Sequence, residues 1–203
     1  MIPKPKQIMI CCLLLCFTSC VTIVKWKYGI TNPKEQTPEK LLSFLEKHKF
    51  PNACQYMFND SLSYFQCLRN SVFREHLIGH LIFDSNGSLL RPDTAQCQWS
   101  GYDLIKSLSP DDAYLRLSGL QLGEILSHIH PIEKNTIPDC LMQHPDFTLI
   151  VTWAAFLGTY NARLFDLYDA IKLNKTAKIR LIWLNIDMQE TWHLTKDQKM
   201  EIK

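Results

Sequence analysis

The chain has 203 residues, 46% of them hydrophobic and 21% charged. That length suits one domain with a real core, and the composition excludes a disordered or fibrous protein. Lys plus Arg number 22 against 20 Asp plus Glu, with no basic block. A nucleic-acid partner, which needs clustered positive charge, is therefore not expected.

The N-terminus points to a membrane. Residues 1–7 carry Lys4 and Lys6 and no acid, and 17 uncharged residues follow from Ile8 to Val24. A positive start before an apolar run is an export signal or a short anchor. As a helix the run spans about 26 Å, slightly short of a bilayer core. Phe17-Thr18-Ser19-Cys20 resembles a bacterial lipobox, which makes Cys20 the candidate for lipidation, although Phe17 and the apolar Val21–Val24 depart from that pattern. A lipoprotein, an uncleaved anchor and a cleaved signal all stay open. Lysines flank the run on both sides (Lys4, Lys6; Lys25, Lys27), so charge bias leaves orientation open. The expected organisation is a signal, lipoprotein or anchor segment over 1–24, a polar linker over 25–36 and an α/β domain over 37–203. That domain is expected on the periplasmic or outer side of a membrane.

Cysteine usage agrees with export. Cys11, Cys12, Cys16 and Cys20 lie in the apolar run; Cys54, Cys67, Cys97 and Cys140 lie in the domain. Four domain cysteines permit two disulfides in any of three pairings, or four unpaired buried thiols. There is no CxxC and no paired zinc-type spacing, so neither a metal nor a cofactor is expected. Sequons occur at Asn59, Asn86 and Asn174 and matter only in a eukaryotic host.

Within the domain, Thr37-Pro38-Glu39 predicts a helix start: a capping hydroxyl, a proline in the first turn and an acid at the positive end. A second helix is predicted after Asp60 with Leu62, Phe65, Leu68 and Val72 inward. LIGHLIFDSNGSLL, residues 77–90, places two apolar runs around Asn86-Gly87, a hairpin signal in which both turn positions tolerate positive φ. A short helix over 102–108 follows. Ser109-Pro110-Asp111-Asp112 then predicts a longer helix reaching about Ile129. His76 and His80 have the i, i+4 spacing of metal ligands on a helix. With 77–83 as a strand they stand roughly 13 Å apart and cannot share an ion. His128 and His130 are expected near helix-terminal carbonyls.

The last third, 141–203, is the most informative. Phe147–Trp153 (FTLIVTW) is an apolar, β-branched run, the mark of a strand buried on both faces. A helix over 158–172 and a strand over 179–186 follow, giving a parallel βαβ unit. TLIVTWAAFLGTYNARLFDLYDAI with KIRLIWLNID resembles the centre of a thioredoxin over about forty residues. Trp153, Ala154, Phe156, Gly158 and Asn185-Ile186-Asp187 match in place. Leu157 and Tyr160 stand at the family's two active cysteines, Thr159 replaces its loop proline and Val151 its buried acid.

The resemblance implies a thioredoxin-like mixed sheet of about four strands with flanking helices. Because the chain ends 16 residues after Asp187, the closing hairpin and helix of that fold are sought earlier, in HLIFDSNGSLL and GYDLIKSL. The sheet is then permuted; the alternative is a helical subdomain over 37–140 with its own hairpin. Disulfide exchange requires a thiolate of lowered pKa at a helix N-terminus and a second thiol. Leu157 and Tyr160 supply neither, so dithiol exchange at this loop is excluded. Three functions remain: a redox-inactive binding or assembly module with another protein as partner, an oxidoreductase using displaced cysteines, or a surface lipoprotein binding a specific ligand or toxin. Trp153, Leu157 and Tyr160 are expected to expose an apolar patch for the partner.

Overall fold

The computed structural model describes residues 25–50, 54–91, 101–132 and 144–201. Cys20, Cys97, Cys140 and the apolar run 8–24 lie outside the described residues. No helix among the described residues is long and apolar enough to cross a membrane.

The architecture is mixed α/β. The elements in chain order are α1 (Pro38–Lys47), β1 (Gln55–Phe58), α2 (Ser61–Arg69), α3 (Ser71–Glu75), β2 (His80–Asp84), β3 (Ser88–Arg91) and α4 (Gly101–Ser107). They continue with β4 (Leu115–Gln121), α5 (Leu122–Ser127), β5 (Ile129–Pro131), β6 (Phe147–Trp153), α6 (Ala162–Leu173), β7 (Ile179–Asn185) and α7 (Lys196–Glu201). Their strands form one sheet in the order β4-β3-β2-β6-β7-β1-β5. Seven strands stand where about four were expected, because β1, β4 and β5 carry no long apolar or alternating run that would mark them.

β6 is central and buried at all seven positions. Its side chains alternate between two cores. Phe147, Leu149, Val151 and Trp153 join Leu41, Leu45, Ile105, Leu164 and Leu167 from α1, α4 and α6. Ile150 joins Tyr64, Phe73 and Ile125 from α2, α3 and α5 on the other face. Helices thus cover both faces, which explains why the run reads as continuously apolar. β7 runs parallel to β6 over seven paired positions, from Phe147↔Ile179 to Trp153↔Asn185. β2 runs antiparallel on the other side, from His80↔Val151 to Asp84↔Phe147. The hairpin over 77–90 is therefore joined to the βαβ unit rather than closed within a separate subdomain.

Several local signals act as anticipated. Thr37 Oγ1 accepts from the Lys40 N–H at 3.3 Å and Asp60 Oδ1 from the Ser63 N–H at 2.7 Å, both N-caps. The hairpin turn differs in detail. Gly87 alone adopts positive φ, 78°, and donates to Asp84 O at 2.9 Å. Asp84 Oδ1 accepts from the N–H groups of Asn86 and Ser88, both at 2.9 Å, and Oδ2 from Arg116 Nε at 2.7 Å.

Other expectations are corrected. α2 buries Ser63, Tyr64 and Cys67, leaving Leu62 exposed, and it stops at Asn70, whose side chain caps α3 at Val72 and Phe73. The long helix from Ser109 does not form. Ser109–Asp112 is a turn, with the Asp112 N–H on Ser109 O at 3.2 Å, and the chain continues as β4, α5 and β5. β3 recruits Leu115–Gln121 as an edge strand, a tertiary pairing that overrides the local helix start. Asn174 cannot serve as a glycosylation site here: it is buried, and its Nδ2 donates to Ile105 O at 2.9 Å and Leu108 O at 2.8 Å.

Candidate functional site

The chain leaves β6 at Trp153 and crosses residues 154–161 before α6 begins at Ala162. This is the C-terminal edge of two parallel strands, where α/β sheets bind ligands. Four buried polar side chains shape the crossing. Asn161 Nδ2 donates to Ala154 O at 2.8 Å and to Gly158 O at 3.0 Å, so one amide holds both limbs of the loop. Asp187 Oδ2 accepts from the Ala155 N–H at 2.6 Å and from Asn185 Nδ2 at 2.8 Å. Gln189 Nε2 donates to Asp187 O at 2.9 Å, closing an Asn185–Asp187–Gln189 network.

Asp187 is 1% exposed. Burial pushes its carboxyl up to about 6, against the lowering effect of the Ala155 N–H, the Asn185 amide and the Phe156 N–H. Its Oδ1 and the Oε1 of Gln189 find no hydrogen-bond partner among the described residues. Burial, with the Asp187 charge adding, also raises the nearby Tyr64 hydroxyl. A carboxyl enclosed this way and bonded to Ala155 positions the loop.

The positions singled out in the sequence lie together here, with roles different from those expected. Val151 and Trp153 are fully buried; the Trp153 ring stacks on Phe44 at 5.8 Å and packs on Phe50 at 5.2 Å. Leu157 is 3% exposed and belongs to the core beneath α2, α3 and α5. The expected apolar patch of Trp153, Leu157 and Tyr160 is therefore not at the surface. Side chains of that size gain too much from burial to be left in water when a core lies within reach. Gly158 has φ 55°, Thr159 is exposed, and Tyr160 is half-buried.

Residues 25–36, the expected polar linker, cover the loop. Residues 25–28 form one helical turn. The Thr31 N–H donates to Phe156 O at 2.9 Å, and Thr159 Oγ1 donates to Tyr28 O at 3.0 Å. Tyr28 meets Tyr160 edge-on at 5.5 Å, and Arg163 Nη2 donates to Tyr28 Oη at 2.5 Å. Gln36 then pairs with Gln189 as a parallel bridge. No periodicity marks this segment. Its one readable signal was the aromatic content of Trp26 and Tyr28 beside the lysines.

The remaining candidates separate. Cys54 is disulfide-bonded. Cys67 is free and buried, so its expected share in a disulfide is not met; burial, with Glu124 adding, pushes its thiol up to about 12. His76 Nδ1 bonds Val72 O at 2.9 Å, and His80 opens β2 as a half-buried side chain held low in pKa by burial. His128 caps α5 through its backbone, whereas His130 Nδ1 pairs with Asn59 Oδ1 at 3.0 Å instead of a helix-terminal carbonyl. Comparison with protein-family models, curated proteins and solved structures yields no match to this chain.

Proposed function

We propose that this chain is a membrane-tethered, exported, thioredoxin-like module of permuted strand order that binds or assembles with another protein and has no dithiol chemistry at its loop. One observation carries the reading. β2 lies antiparallel beside β6 while β7 lies parallel on its other side, with α6 crossing between β6 and β7. Those are the neighbours of a thioredoxin-type hairpin and βαβ unit when the hairpin precedes the unit in the chain. β4 extends the hairpin edge and β1 with β5 extends the other.

The loop supports the loss of chemistry. Leu157 is in the core, Tyr160 is packed against Tyr28, and neither forms a thiolate. Cys67, with its raised thiol, is a poor nucleophile for a displaced mechanism. An insulin-reduction assay with dithiothreitol tests this. The expected rate equals that of dithiothreitol alone. Turnover that Cys97→Ala or Cys140→Ala abolishes overturns the reading in favour of a thiol-disulfide oxidoreductase.

A further inference from the structure

Trp26 is 86% exposed, more than any other large apolar side chain among the described residues. It sits between the exposed Lys25 and Lys27, in the helical turn that directly follows the uncharged run ending at Val24. Two residues later the chain behaves in the opposite way: Tyr28 turns onto the domain, against Tyr160 and Arg163. The turn is thus divided: Trp26 lies outward, Tyr28 is bonded to the loop, and the Lys27 ammonium stands 5.5 Å over the Tyr28 ring between them.

We propose that Trp26, with Lys25 and Lys27, seats in the headgroup zone of an anionic membrane, and that the loop over 154–163 is consequently the membrane-proximal end of the sheet. The proposal rests on the tethered reading above and adds which end of the domain faces the lipid. Three observations select a lipid surface as the occupant. Indole rings favour the bilayer interface, and lysines beside them extend their charge to anionic headgroups. The route of the chain agrees. A span ending at Val24 puts Trp26 two residues from the hydrocarbon, and lipidation at Cys20 puts it six residues away, at most about 20 Å. The third is rigidity. The Ile30 N–H donates to Lys25 O at 2.9 Å, and the Thr31 and Thr159 bonds join this turn to Phe156 and Tyr28. A side chain at Gly158 would place its Cβ 2.4 Å from Tyr28 O, so the two segments are in direct contact. Seating Trp26 therefore orients the domain, and the exposed Arg163 adds a third positive charge at that end.

The test uses the full chain in vesicles of phosphatidylcholine and phosphatidylglycerol. With lipids brominated shallowly on the acyl chain, the wild-type emission contains a quenched component that Trp26→Phe removes; deep bromination quenches it less. In the Trp26→Phe background, Ala162→Trp, an exposed position at the loop end, adds more energy transfer to dansyl headgroups than Ser85→Trp at the hairpin turn on the opposite end. Equal quenching of wild type and Trp26→Phe, or equal transfer from the two introduced tryptophans, overturns the proposal while flotation of the chain with the vesicles leaves the tether standing. A chain that fails to float overturns both.

Discussion

Gly158 and Asp187 show how much of the loop depends on single side chains. Gly158 holds φ 55°, where a side chain is strained, and a Cβ there would also lie 2.6 Å from Gly29 O. Gly158→Ala is expected to destabilise the fold by about 1–3 kcal/mol and to detach residues 25–31. Urea unfolding measures the first effect and faster amide exchange at Thr31 the second. Asp187 carries a pH signature. Its folded pKa of about 6 lies above the unfolded value of about 3.9, so the unfolded state loses its proton first. The stabilising contribution of the protonated carboxyl is complete below the unfolded pKa and is lost as pH rises through about 6. Asp187→Asn removes that dependence. Between about pH 4 and pH 7 the variant is expected to gain on the wild type by up to about 3 kcal/mol, read from urea midpoints at each pH. A difference that stays constant across the window would disprove the assignment.

At the scale of elements, residues 155–161 between β6 and α6 form a 3-10 helix, and side chains brace it alongside backbone bonds such as Leu157 N–H to Ala154 O at 3.1 Å. Asn161→Ala removes the side-chain donor of the Gly158 carbonyl and one of the two donors of the Ala154 carbonyl, which keeps the Leu157 N–H, at a cost of about 1–3 kcal/mol. Asn161→Asp keeps the size but supplies no donor, and is expected to be at least as costly; thermal unfolding of the pair checks this. The elements also show what a sequence conveys. β6 was readable because a strand covered on both faces is apolar at nearly every position, and α1 because Thr37 and Pro38 mark a start. β4 was not readable. Leu115, Arg116 and Ser118 through Gly119 look neither alternating nor buried; Leu120 alone of the strand is buried, with Leu117 packed partly against the same core. Its identity as a strand comes from β3, which offers Leu90 and Arg91 as partners to Arg116 and Leu115. The Ser-Pro-Asp-Asp start was a sound local signal whose helix lost to that pairing.

The described strands form a single sheet in which segments from both halves of the chain interleave. β1 pairs with β7 and β2 with β6, so sequence-distant strands close the core. Cys54 lies at the start of β1, beside the sheet: Trp183 N–H donates to Cys54 O at 2.9 Å. Its disulfide is expected to contribute about 2–5 kcal/mol. Cys54→Ser should therefore lower the thermal midpoint, and dithiothreitol should lower that of the wild type but leave the variant unchanged.

By itself the sequence determined the strong local features: an uncharged run near the N-terminus, a buried strand ending in Trp153, a following helix and strand, a hairpin at Gly87, and a loop without thiols. Each is written in neighbouring residues, through periodicity, capping chemistry or the identity of a reactive atom. Tertiary structure alone decided where Leu157 points, that residues 25–36 pack down instead of hanging free, that Asn161 and Asp187 brace the loop, and that Asn174 is enclosed. Those outcomes depend on partners far away in the chain, such as Tyr28 on Thr159 or Ile105 on Asn174. No local pattern records which distant groups a fold will bring within hydrogen-bond reach.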